Sequence, residues 1–217
     1  MLRTKFEEEL DKLHNQFYAM GTEVLTQINK TVRAFVSHDR HLAKEVIEGD
    51  ELINNLETKL EKKSLEIIAL QQPVSQDLRT VITVLKASSD VERMGDHATS
   101  IAKATIRMKG EERLSEVETQ INEMGRVVRG MVEAALDVYI TGDDARAYEI
   151  AASDEIIDEY FRNIQKMVVE AIREQPDTVV AGKEYFQVIM YLERIGDYAR
   201  NLCEWVVYLK TGKIIEL

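Results

Sequence analysis

The feature that most constrains this chain is that it is written twice. Setting residues 39–58 against 143–162 pairs Asp39, Ala43, Glu45, Asp50, Glu51 and Ile53 with Asp143, Ala147, Glu149, Asp154, Glu155 and Ile157. At the same offset Met20-Gly21 falls on Met124-Gly125, and Phe35-Val36-Ser37 on Tyr139-Ile140-Thr141. At an offset of 101, Glu92-Arg93-Met94-Gly95-Asp96-His97-Ala98 falls on Glu193-Arg194-Ile195-Gly196-Asp197-Tyr198-Ala199. Gln72-Pro73 matches Gln175-Pro176, and these are the only two prolines. The offset drifts only near that proline turn, so a small deletion there reconciles the copies. Self-similarity at a fixed period means one structural unit used repeatedly.

Each unit reads as three long helices. Phe6, Leu10, Leu13, Phe17, Met20, Val24, Ile28, Val32 and Phe35 recur in steps of three and four, one apolar stripe along a helix. Asp39 is a suitable N-cap for a second helix carrying Leu42, Val46, Ile53, Leu56, Leu60 and Ile67. That helix stops before Pro73, because the residue preceding a proline avoids the helical region. A third starts near Pro73 and ends near Gly110. The second unit repeats this with helices from about Glu111 to Ile140, from after Asp143 to Glu174 without interruption, and from Thr178 to Lys210. Long helices with short connections pack as antiparallel bundles. The expected fold is all-α, two tandem antiparallel three-helix bundles related by internal duplication, over residues 1–109 and 110–217.

Charge narrows the function. Net charge is −11, very unevenly divided: residues 1–109 hold 16 basic and 17 acidic residues, while 110–217 hold 12 and 22. That argues against nucleic acid, whose phosphates need a basic face, and suits a cation or a basic protein partner. The single cysteine, Cys203, supports neither a disulfide framework nor a thiolate metal site. No apolar run is long enough to span a bilayer, and the charged N-terminal stretch has no signal-peptide character, so a cytoplasmic protein is expected.

The repeated acidic signature is the candidate site. Glu92 and Asp96, like Glu193 and Asp197, are four apart and share a helix face, where like charges repel by a few tenths of a kcal/mol. The second helix of each unit adds an opposing pair, Asp50 with Asn54 and Asp154 with Asp158. A hard cation would relieve such crowding; the structural alternative is a shared acidic surface that docks a partner. The second site, with four carboxylates, is expected to bind metal more tightly than the first, where Asn54 replaces an acid. Gly95 and Gly196 sit mid-helix, where glycine costs about 1 kcal/mol against alanine, which points to close approach of a backbone or an ion. Arg93 and Arg194 read either as carboxylate holders or as ordinary partners on their own helix. His97, opposite Tyr198, reads as a surface residue or an extra ligand, and Cys203 and Trp205 as core or interface residues of the last helix.

No Glu-x-x-His, phosphate-binding glycine loop or nucleophile-elbow motif is present, and no catalytic constellation is found. At the doubled signature, in length, and in the duplicated three-helix layout, the chain resembles the PhoU family of phosphate-transport regulators. The resemblance implies a non-enzymatic, often dimeric, cytoplasmic negative regulator of phosphate uptake. Such a protein links the phosphate ABC transporter and its ATPase to a two-component sensor histidine kinase, touching the membrane only through those partners. It also implies iron or zinc, multinuclear in some members, at Asp50, Asn54, Glu92 and Asp96, and at Asp154, Asp158, Glu193 and Asp197. The competing expectations are a metal-dependent helical hydrolase and a metal-free scaffold with an acidic docking face.

Overall fold

The computed structural model describes residues 2–217, with side chains from Phe6 onward. Among them every regular element is helical: α1 (Leu2–Val36), α2 (Arg40–Gln71), α3 (Gln76–Arg107), α4 (Ser115–Thr141), α5 (Asp144–Ala152), α6 (Asp154–Glu174) and α7 (Val179–Thr211), with one 3₁₀ turn at Pro176–Thr178. The N-caps fall where the sequence places them. The Asp39 carboxylate accepts from the backbone N–H groups of His41 and Leu42, and Asp143 from that of Arg146.

Three boundaries differ from the periodicity. Gln72 adopts a left-handed conformation at φ 48 that caps α2, and Ser75 (φ 52) delays α3 to Gln76 rather than Pro73. The link between the halves is longer than expected: α4 begins only at Ser115, and the Tyr185 hydroxyl holds the free Leu114 N–H ahead of it at 2.9 Å. The expected fifth helix is divided at Ser153, whose hydroxyl donates to the Ile150 carbonyl at 2.6 Å. Its counterpart in the uninterrupted α2 is Gly49, which packs so close to α1 that an added Cβ would lie 2.2 Å from Gln27 Nε2. A serine in that register carries a side chain that competes for backbone groups.

The core is continuous across both halves, from Leu13, Phe17 and Met20 on α1 to Leu202, Val206 and Val207 on α7. The halves meet as a dimer would. A Cβ at Gly21 would strike Leu136, and one at Gly125 would strike Val32; exchanging the halves converts the first contact into the second. The equivalent residues His97 and Tyr198 stack on each other at 5.7 Å, marking where the internal two-fold passes between α3 and α7. Such self-complementary contact is the geometry of an isologous interface, here within one chain. A cluster centred on the buried Glu118 carboxylate closes the junction. Glu118 accepts from Tyr185 Oη at 2.9 Å, pairs with Arg113 Nε at 3.0 Å and lies 2.8 Å from His38 Nε2.

Candidate functional site

Each half forms an acidic groove between its second and third helices. In the first, α2 supplies Asp50, Asn54 and Glu57, and α3 supplies Glu92, Asp96 and Thr99. Asp50 Oδ1 accepts from the Thr99 hydroxyl at 3.0 Å, and Asn54 Nδ2 donates to Asp50 Oδ2 at 3.4 Å. Burial pushes Glu92 up to about 7, and Asp96, Glu57 and Asp50 add to the rise against the opposing charge of Arg93. Glu57 is raised as well, by burial first, while its hydrogen bond with Ser89 works the other way. The groove therefore gathers Asp50, Glu57, Glu92 and Asp96, with Asn54 exposed at its rim.

In the second groove, Asp154 stands at the first residue of α6 and is buried, Asp158 follows one turn later and is half-exposed, and α7 supplies Glu193 and Asp197. Arg200 spans the groove: Nη1 donates to Asp154 Oδ2 at 2.8 Å and Nη2 to Asp197 Oδ1 at 3.1 Å. Asp158 lies 3.9 Å from Arg162 on its own helix. Burial lifts Asp154 to about 6; Arg200 opposes the rise, and Asp197, Asp158 and Glu155 reinforce it. Glu193 is raised by burial and then by Asp197, against Arg194.

Hard carboxylate oxygens facing one another from two helices suit a hard cation. As they stand, no three His, Cys, Asp or Glu side chains among the described residues are arranged to hold a metal ion. The mid-helix glycines have a packing cause. A Cβ at Gly95 would lie 3.0 Å from Ile53 Cδ1, and one at Gly196 would lie 2.8 Å from the equivalent Ile157 Cδ1 and 2.9 Å from Asp154 Oδ1. Arg93 and Arg194 are exposed and pair with Asp96 and Asp197 on their own helices, at 3.6 and 3.7 Å. His97 is half-buried between Tyr191 and Tyr198 rather than on the open surface. Cys203 is core, and the indole of Trp205 donates to Asp90 at 2.8 Å across the α3–α7 seam.

Sequence reasoning missed three groove residues: Glu57, Thr99 and Arg200. Glu57 has Phe161 as its counterpart, so the repeat gave no signal for it. Thr99 and Arg200 lie one residue past the matching signature, where the two copies stop agreeing.

A helical duplication with one carboxylate groove per unit defines a class of two-unit, all-α proteins, and the comparisons say which. The family model described as "PhoU domain" matches twice, over residues 17–105 and 121–206. The chain belongs to the PhoU family. It is similar to the phosphate-specific transport system accessory protein PhoU homolog of Streptococcus pneumoniae, at 36% identity over 216 residues and 100% of both chains. The corresponding homolog of Clostridium acetobutylicum is 35% identical over 218 residues, with 100% of this chain and 99% of that one covered. Among solved structures, the phosphate transport system regulatory protein PhoU from Streptococcus pneumoniae superposes with a TM-score of 0.92 at 34% identity, covering 98% of this chain and 100% of that one. PhoU from Pseudomonas aeruginosa superposes with a TM-score of 0.91 at 32% identity, covering 96% and 100%.

Proposed function

We propose that the chain is a non-enzymatic negative regulator of phosphate uptake and of phosphate-starvation signalling. In this reading it is an adaptor between the ATPase of a phosphate ABC transporter and a sensor histidine kinase. The observation that carries it is the doubled family match, together with full-length relatives named as accessory proteins of the phosphate-specific transport system. None of the described helices is long and apolar enough to cross a membrane, which suits a protein that works in the cytoplasm and reaches the membrane through its partners. A homodimer is part of the same reading, as are residues 1–109 and 110–217 as the two units.

The acidic grooves enter as cation sites. The residues of the first, Asp50, Glu92 and Asp96 with Glu57 beside them, have the donor chemistry for iron or zinc, and burial, with their crowding adding to it, raises Glu92 to about 7. A bound cation there would neutralise the carboxylates and clamp α2 to α3. The four carboxylates of the second groove face the same chemistry with Arg200 already among them.

A direct test is binding of the purified full-length chain to the phosphate-transporter ATPase and to the cytoplasmic part of the sensor kinase, by surface plasmon resonance. Saturable binding to both is expected. Binding to neither, with or without added zinc, overturns the adaptor reading.

A further inference from the structure

The two grooves occupy equivalent places in the repeat, yet besides Asn54/Asp158 and Glu57/Phe161 they differ at one position that brings in a positive charge. Thr99 and Arg200 are the same position in the two copies, next to the matched Ala98 and Ala199. Both reach from the third helix of their unit to the leading aspartate of the second: Thr99 to Asp50 at 3.0 Å, Arg200 to Asp154 at 2.8 Å. Threonine brings a hydroxyl. Arginine brings a positive charge that no pH in the physiological range removes, in a planar fork that meets two carboxylates at once.

We infer that Arg200 is the built-in counter-ion of the second groove and closes it to a divalent cation, so that the two grooves are not equivalent metal sites. The guanidinium lies between Asp154 and Asp197, the place an ion held by that pair across α6 and α7 would take. The Asp154 carboxylate is also turned inward. It is 6% exposed, with Oδ1 against the backbone of Gly196, where a Cβ would come within 2.9 Å. A buried carboxylate that loses its cation is left uncompensated in a poorly solvated place, so the pair resists opening. An incoming ion must displace a cation already held by two charge-assisted hydrogen bonds. In the first groove the equivalent position offers a neutral hydroxyl and Gly95 faces Ile53, so nothing comparable is displaced. The inference rests on the reading of these grooves as cation sites and reverses the expectation that four carboxylates make the second the tighter one.

The test is calorimetric titration of Zn²⁺ into the chelator-stripped full-length chain. In the wild-type protein, Asp158→Asn is expected to leave zinc stoichiometry and affinity unchanged, whereas Asp96→Asn in the first groove lowers affinity ten-fold or more. Arg200→Thr is expected to add one zinc site, which Asp197→Asn in the same background removes, while Arg200→Lys, which keeps a cation, adds none. Loss of a wild-type zinc site on Asp158→Asn would overturn the inference, because the groove would then be open with Arg200 in place. So would an Arg200→Thr protein of native helical content that gains no site. Asp158 is half-exposed and its substitution leaves the core intact, so the wild-type arm decides even if Arg200→Thr unfolds. Absence of any zinc bound by the wild type would defeat the first-groove reading separately, and the gain on Arg200→Thr would still decide the closure.

Discussion

Thr99 and Arg200 show how much a single position alters between the two copies, and His14 shows how much one burial alters in the pH response. His14 is partly enclosed, 3.1 Å from the Tyr139 hydroxyl, and desolvation lowers its pKa below 6.5 despite the nearby charge of Asp11. The unfolded chain therefore takes up a proton near pH 6.5 while the folded chain resists it, so stability falls as pH drops through that value toward the lower folded pKa. Replacing His14 with glutamine removes this contribution. The stability gap between wild type and variant, from urea unfolding at a series of pH values, is expected to shift in the variant's favour below pH 6.5 and to be flat above pH 7.5. At this scale the sequence was legible where both copies agreed, at Glu92, Asp96, Glu193 and Asp197. It was silent where the copies differ, at Thr99 and Arg200. Arg200 is an unremarked surface-type residue until the fold brings it onto Asp154, which is 46 positions away.

At the scale of elements, the duplicated periodicity placed six of the helical stretches, because a stripe of apolar residues at helical spacing must be buried whatever it packs against. It could not show the division of the fifth at Ser153, since apolar spacing does not register a hydroxyl that bonds the Ile150 carbonyl, at the register where α2 keeps Gly49. Nor could it show which glycines make contacts. Gly125 and Gly130 share α4, but a Cβ at Gly125 would lie 2.7 and 2.8 Å from the two methyls of Val32, whereas at Gly130 nothing lies within 4 Å. Valine is stiff about χ1 and cannot swing aside. Gly125→Ala is thus expected to lose about 1 kcal/mol net, overpacking of about 1–3 kcal/mol outweighing a helix-propensity gain of about 1 kcal/mol. Gly130→Ala is expected to gain about 0.5–1 kcal/mol, since only the propensity term applies. Thermal melts of the two variants side by side check both signs.

For the whole molecule, the question is why two three-helix units behave as one body. The shared core and the exchange-symmetric contacts of α1 with α4 and of α3 with α7 make the chain an internal dimer. Periodicity predicted the bundles and not their union, because the residues that join the units are spread across both copies and have no joint pattern in sequence. The Glu118 cluster ties the α1–α2 turn, the inter-unit link, α4 and α7 together. Glu118→Leu leaves Arg113 buried without its carboxylate, and a loss of about 3–5 kcal/mol is expected in denaturant unfolding, still as one cooperative transition. Two successive transitions would show that the units fold apart. Above the molecule stands the regulatory role, and it is tested most directly in the organism that makes this protein. Deleting its gene and measuring phosphate-starvation reporter expression at high phosphate is expected to show loss of repression, returned by the wild-type chain supplied in trans. A deletion strain that keeps the reporter repressed at high phosphate would contradict the account.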